Sequence, residues 1–142
     1  MKKIINFTAA LLLLLLAACT STPAKAPAER SRAIALGQTL LESIDRNDYA
    51  QFSKIAPAEL LKAMDEAKFS NARENIIAQF GKITDFHFLT ALKTPSVENL
   101  IWIVTFERKS VDGKKTIQQQ VLFRTVCGEL DGQTVLLSFG FF

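Results

Sequence analysis

At Gly81 the hydrophobic period of the chain changes, and this change limits the fold more than any other feature. Upstream of it, apolar residues recur at helical spacing; downstream they recur every second residue. "KITDFHFLTAL" places Phe86, Phe88 and Leu92 on one face, and Ile83, Asp85, His87 and Leu89 on the other. "NLIWIVTFER" is apolar almost throughout, the pattern of a strand covered on both sides. "TIQQQVLFRTVC" and "TVLLSFGFF" supply a third and a fourth strand. Asp112-Gly113 sits at the tip of the "SVDGKK" turn, and "GELDGQ" is the turn that follows. Turns this short join antiparallel neighbours, because parallel pairing needs long crossovers. Helices followed by a four-stranded antiparallel meander make an α+β layer fold.

The helical half divides at its turn residues. Ile34, Leu40, Leu41 and Ile44 form an apolar stripe from Ser31, a candidate N-cap, to Arg46. Asp48 is placed to cap a short helix carrying Tyr49 and Phe52 inward. Pro57 restarts the chain for a helix to about Ala67, with Leu60, Leu61 and Met64 apolar. Ser70 is the expected cap of a last helix bearing Ile76, Ile77 and Phe80, which Gly81 ends in a left-handed conformation.

The chain begins differently. Lys2 and Lys3 precede an apolar run from Ile4 to Leu16 and the small residues Ala17 and Ala18. This is the pattern of a secretory signal, and the run falls short of the ~20 residues that cross a bilayer as a helix. "LAAC", ending at Cys19, resembles the lipobox of bacterial lipoproteins. The resemblance implies cleavage before Cys19 and a diacylglycerol on its sulfur. Residues 1–18 are then a signal peptide, 19–30 a lipidated tether rich in Pro, Ala, Ser and Thr, and 31–142 one α+β domain. Thr20 stands where an aspartate would resemble an inner-membrane retention signal. In a host with two membranes, the periplasmic leaflet of the outer membrane is the expected location.

Charge and cysteine content narrow the partners. Lys2 and Lys3 account for two of the three net positive charges, and the remaining charges of both signs are interspersed. No basic block is present beyond Lys114-Lys115, so nucleic acid is not an expected partner. Lipidation of Cys19 leaves Cys127 no second cysteine for a disulfide. One histidine, no cysteine pair and no HExxH give no expectation of a metal, and no cofactor motif such as GxGxxG or GxxxxGK[ST] occurs.

"DRNDYAQF", "FGKI" and the hairpin "IVTFERKSVDGKKTIQQQVLFR" resemble elements of the nuclear transport factor two-like, cystatin-like superfamily. That resemblance implies a curved, cone-like sheet wrapped around the helices, frequently a conical pocket, and homodimers packed through the sheet. It implies no single activity. Enzymes of this type, isomerase-like and cyclase-like, place an acid or base in the cone, but no matching catalytic set carries over to this chain.

The candidate site residues are few. Asp85 and His87 share a strand face, and an Asp-oriented imidazole can move protons near neutral pH. Glu107 and Arg124 are candidates to lie near them, or to form a cross-strand ion pair. Phe86, Phe88, Trp102 and Phe106 would line an apolar ligand pocket, although large aromatic residues on strands more often form core. Cys127 reads as a small buried hydrophobe. The alternation puts Asp85 and His87 opposite the aromatic face, so His87 is expected to be partly exposed and outside the largest pocket. The resulting expectation is a lipid-anchored, non-enzymatic envelope domain. It meets the membrane through its lipid, and an envelope protein or a second copy through its sheet; a cone-pocket enzyme is the alternative.

Overall fold

Gly81 ends the helical half of the chain, as its position after Phe80 predicts. Its backbone adopts φ 101°, its N–H bonds the carbonyl of Ile77 at 2.8 Å, and a side chain there would collide with the carbonyl of Glu107. The computed structural model describes residues 27–142; the signal segment, Cys19 and the tether up to residue 26 lie outside the described residues.

Among the described residues, four helices precede four strands. The first, α1 (Pro27–Arg46), starts upstream of Ser31, within the segment read as tether. Proline is tolerated in a first turn, where its missing N–H would find no intrahelical acceptor, and Ala28, Glu29 and Arg30 favour helix. Helix α2 (Tyr49–Ile55) is capped by Asp48, whose carboxylate accepts the Gln51 N–H at 2.9 Å. The expected helix to Ala67 is shorter: α3 (Ala58–Ala63) stops at Met64. Asp65, not Ser70, then caps α4 (Glu66–Phe80), accepting the Lys68 N–H at 2.9 Å. An aspartate acceptor five residues earlier claims the first free amides, and Ser70 falls inside the helix, its hydroxyl 3.2 Å from Asn47 Oδ1.

The sheet is an antiparallel meander in the order β1 (Lys82–Lys93), β2 (Val97–Lys109), β3 (Thr116–Leu130) and β4 (Gln133–Phe141). Asp131 and Gly132, both at positive φ, make the two-residue turn between β3 and β4, the geometry that matches strand twist. Two register shifts on β1, at Thr84 and Leu89, change which residues face the helices. Ile83, Phe86, Phe88 and Ala91 pair with Phe106, Val104, Trp102 and Leu100 and share their inner face. Leu92 was expected beside Phe86 and Phe88, and Ile83 beside Asp85. Each bulge reverses the alternation, so Leu92 turns outward, 60 % exposed, and Ile83 packs inward.

Helix α1 lies on the inner face through Ala33, Gly37, Leu40, Leu41 and Ile44. Small residues at the first two positions let β2 approach closely. Trp102, only 2 % exposed, fills the space above Gly37, and its indole N–H donates to Thr125 Oγ1 at 3.2 Å. The remaining inner face is aromatic. Phe52 stacks on Phe69 at 4.8 Å and meets Phe139 edge-on at 6.0 Å; Phe123 continues to Phe141 at 4.7 Å. Phe106 and Phe80 complete the series at 5.2 Å. Burying each such ring stabilises the fold by roughly 1.5–3 kcal/mol, so this aromatic series holds the helices on the sheet.

Candidate functional site

The two bulges leave Asp85 and His87 together on the outer face of β1, opposite Thr105 and Ile103. His87 Nδ1 and Asp85 Oδ2 lie 3.6 Å apart, with the side chains 53 % and 69 % exposed. The side chains lean together across the two-residue spacing, and their attraction exists only when the imidazole is protonated. Water screens a pair this exposed, which limits its worth to well under about 1 kcal/mol. His87 borders none of the described grooves.

Glu107 and Arg124 join neither this pair nor each other. Glu107 stands opposite Lys82 and Gln118, whereas Arg124 stands opposite Ile101. Six residues of β2 separate the two positions, roughly 20 Å of strand, which excludes the expected cross-strand ion pair.

Of the four aromatic candidates, Phe88 meets Trp102 edge-on at 5.6 Å, and Phe106 sits among Phe80 and Phe141. Both Trp102 and Phe106 belong to the buried core. Phe86 alone borders a described groove, a shallow space of about 320 Å³ shared with Gln38, Asp45, Ile83, Thr84 and Asp85. Cys127 is buried beneath the sheet at 1 % exposure. Glu98 is also on the inner face, 2 % exposed. Its period-two position was legible, but a carboxylate amid strand residues gave no sign of burial.

A second groove, about 360 Å³, adjoins the first at Asp45 and Ile83. Its walls are Ile44, Ile76, Ile77 and Ile83, with Asp45, Arg73 and Lys82 at the polar positions. Arg73 already has a structural task. Its Nε donates to the Ile44 carbonyl and its Nη2 to the Asp45 carbonyl, both at 2.9 Å, so the guanidinium satisfies the end of α1. Ile44, Ile76 and Ile77 were readable as apolar helix positions; their meeting with Ile83 beside Lys82 depends on how α4 crosses α1 and on the bulge at Thr84.

Among the described residues, no group of three or more His, Cys, Asp and Glu side chains is arranged to hold a metal ion. Among those same residues, no helix is long and apolar enough to cross a membrane.

Neither a protein-family model nor a curated protein sequence matches this chain. Among solved structures, it is similar to a SEC-C motif containing protein from Rhodopseudomonas palustris, determined in solution. The two share 13 % identity over 75 % of each chain, with a TM-score of 0.50. At that identity the likeness is one of fold: helices laid on one face of an antiparallel sheet.

Proposed function

We propose that this protein is a lipid-anchored component of the bacterial cell envelope, acylated at Cys19, whose folded domain is a non-enzymatic binding or interaction module. The observation that carries the reading is "LAAC" placed after a Lys2-Lys3 start and one apolar run. Four adjacent positions agree with a lipobox at the right distance from the positive start. The absence of aspartate at Thr20 favours the outer membrane's periplasmic leaflet in a host with two membranes. The nuclear transport factor two-like kinship belongs to the same proposal, supported by the order of helices and meander.

The filled inner face supports binding over catalysis. Phe80, Phe106, Phe123 and Phe141 pack against one another where a cone-pocket enzyme would need room for substrate. The exposed outer face of the sheet is left for a partner, either an envelope protein or a second copy. One observation favours the enzyme alternative: Asp85 and His87 do meet, and Asp85 borders a groove. Both stand in open solvent, where no wall excludes water from a reacting group.

Metabolic labelling with a palmitate analogue tests the anchor. Label should enter the native protein and be absent from Cys19→Ala. Equal label in both would defeat the assignment.

A further inference from the structure

Three of the most exposed leucines share the outer face at one end of the sheet. Leu92, Leu130 and Leu137 are 60 %, 58 % and 45 % exposed. Leu92 lies across from Asn99, and Asn99 from Val126; Leu130 lies on the same face of β3 as Val126. Leu137 reaches this outer face because the register shift beside Cys127 leaves it without an opposite residue, while Leu136 turns into the core. Gly128 is its seat, since a side chain there would stand 2.7 Å from the Leu137 Cδ1. Single exposed leucines are ordinary on a surface, but three on one face at one end of a sheet can meet a common plane together.

The three leucines lie at the end of the sheet where α1 begins. Arg32, Ala35 and Leu36 share a groove with Thr134, the second residue of β4, whereas Ile44 and Asp45 lie beside Lys82 and Ile83. Helix α1 therefore runs away from the end of the sheet that holds Val97, Leu130 and Gln133. Eight residue steps separate Cys19 from Pro27. Whatever conformation they take, they span no more than roughly 29 Å. A lipid on Cys19 would keep this end of the domain close to the headgroups. The opposite end, with Val111 at the tip of the β2–β3 hairpin beside Lys114 and Lys115, would stand farther off.

We infer that the outer face of the sheet at this end rests on the bilayer holding the chain's own lipid, with Leu92, Leu130 and Leu137 entering the headgroup boundary. The inference rests on acylation of Cys19. Glu129 and Asp131 flank Leu130 and are exposed, so the surface fits a zwitterionic leaflet better than an anionic one, whose like charge would repel the carboxylates. The lipid supplies the anchor and the leucines fix the orientation, presenting the basic hairpin away from the membrane.

The test uses the full lipidated protein in phosphatidylethanolamine–phosphatidylcholine vesicles carrying a phospholipid with a photoactivatable group on its acyl chain. Peptides containing Leu92, Leu130 and Leu137 should take up at least five-fold more lipid adduct than the peptide containing Val111. The triple substitution Leu92→Gln, Leu130→Gln, Leu137→Gln should lose that excess while keeping Trp102 emission unchanged, which verifies the fold. Replacing half the phospholipid with phosphatidylglycerol should lower the adduct yield. Uniform adducts, adducts favouring Val111, or no lipid adducts at these leucines would overturn the inference. The mass of the Cys19 peptide from the same sample separates the two claims. An acylated Cys19 without leucine adducts defeats the orientation alone, and an unacylated Cys19 defeats both.

Discussion

The indole of Trp102 occupies the space in which a side chain at Gly37 would stand. A Cβ there would lie 2.5 Å from Cζ2 and 2.8 Å from Cε2 of the ring. The ring is held in place by its bond to Thr125 and its edge contact with Phe88, so it has little freedom to retreat. Alanine at this helical position gains up to about 1 kcal/mol of propensity, while overpacking costs about 1–3 kcal/mol. Gly37→Ala should therefore lose about 1–2 kcal/mol in urea unfolding, and Trp102→Phe in the same chain should recover part of it. A stabilised Gly37→Ala would show that α1 and β2 do not meet so closely.

Trp102 itself should be among the costliest residues to truncate. Trp102→Ala should lose roughly 3–5 kcal/mol, as large aromatic deletions from a core do. Thr125→Val removes only the acceptor and leaves a buried indole N–H without its bond, a loss of about 1–3 kcal/mol. Denaturation midpoints for the two variants, read by far-ultraviolet circular dichroism, check both.

Gly81 is the second close approach. Its φ of 101° and ψ of −164° fall in a region that is almost exclusive to glycine. Gly81→Ala should cost more than about 2 kcal/mol, since strain adds to the collision with the Glu107 carbonyl. An unchanged melting temperature would contradict the junction between α4 and β1.

The β2–β3 turn should carry a pH signature. The Ser110 hydroxyl, then the Lys114 backbone N–H, hold the Asp112 carboxyl below the usual aspartate range. A carboxyl depressed in the folded state contributes above its unfolded value and loses that contribution as pH falls through its folded value. The group is fully exposed, so the effect belongs to the turn and not to global stability. An NMR titration should find the Asp112 midpoint below that of an ordinary aspartate, and Ser110→Ala should raise it.

Much of this architecture was legible because strong local signals agreed. Gly81, Asp48 and the alternating strands each announced a boundary that tertiary contacts then reinforced. The bulges at Thr84 and Leu89 were not legible, since no glycine or proline marks them and both arise from pairing with β2. They reversed the faces of Ile83 and Leu92 while leaving Asp85 and His87 outside. The seam of α1 was hidden for the opposite reason. Ala33 and Gly37 contribute little hydrophobicity, and their role appears only when Trp102 stands against them. Asp65 does not stand out as a cap because Leu60 through Ala67 reads as one continuous helical run.

The exposed pair on β1 distinguishes the binding module from the alternative enzyme. His87→Ala should change stability by no more than about 0.5 kcal/mol, as substitutions at open surface positions do. In cells, any phenotype of a deletion strain should be complemented by the His87→Ala chain as fully as by the native one. Failure to complement by a stably folded His87→Ala protein would favour the enzyme.

The lipid on Cys19 decides where the domain sits, and the mass of the mature amino-terminal peptide measures that lipid. The mature chain should begin at Cys19 and carry a diacylglycerol on its sulfur, with an acyl chain on the new amino group in hosts that add one. A chain that begins elsewhere, or a Cys19 with an unmodified thiol, would contradict it.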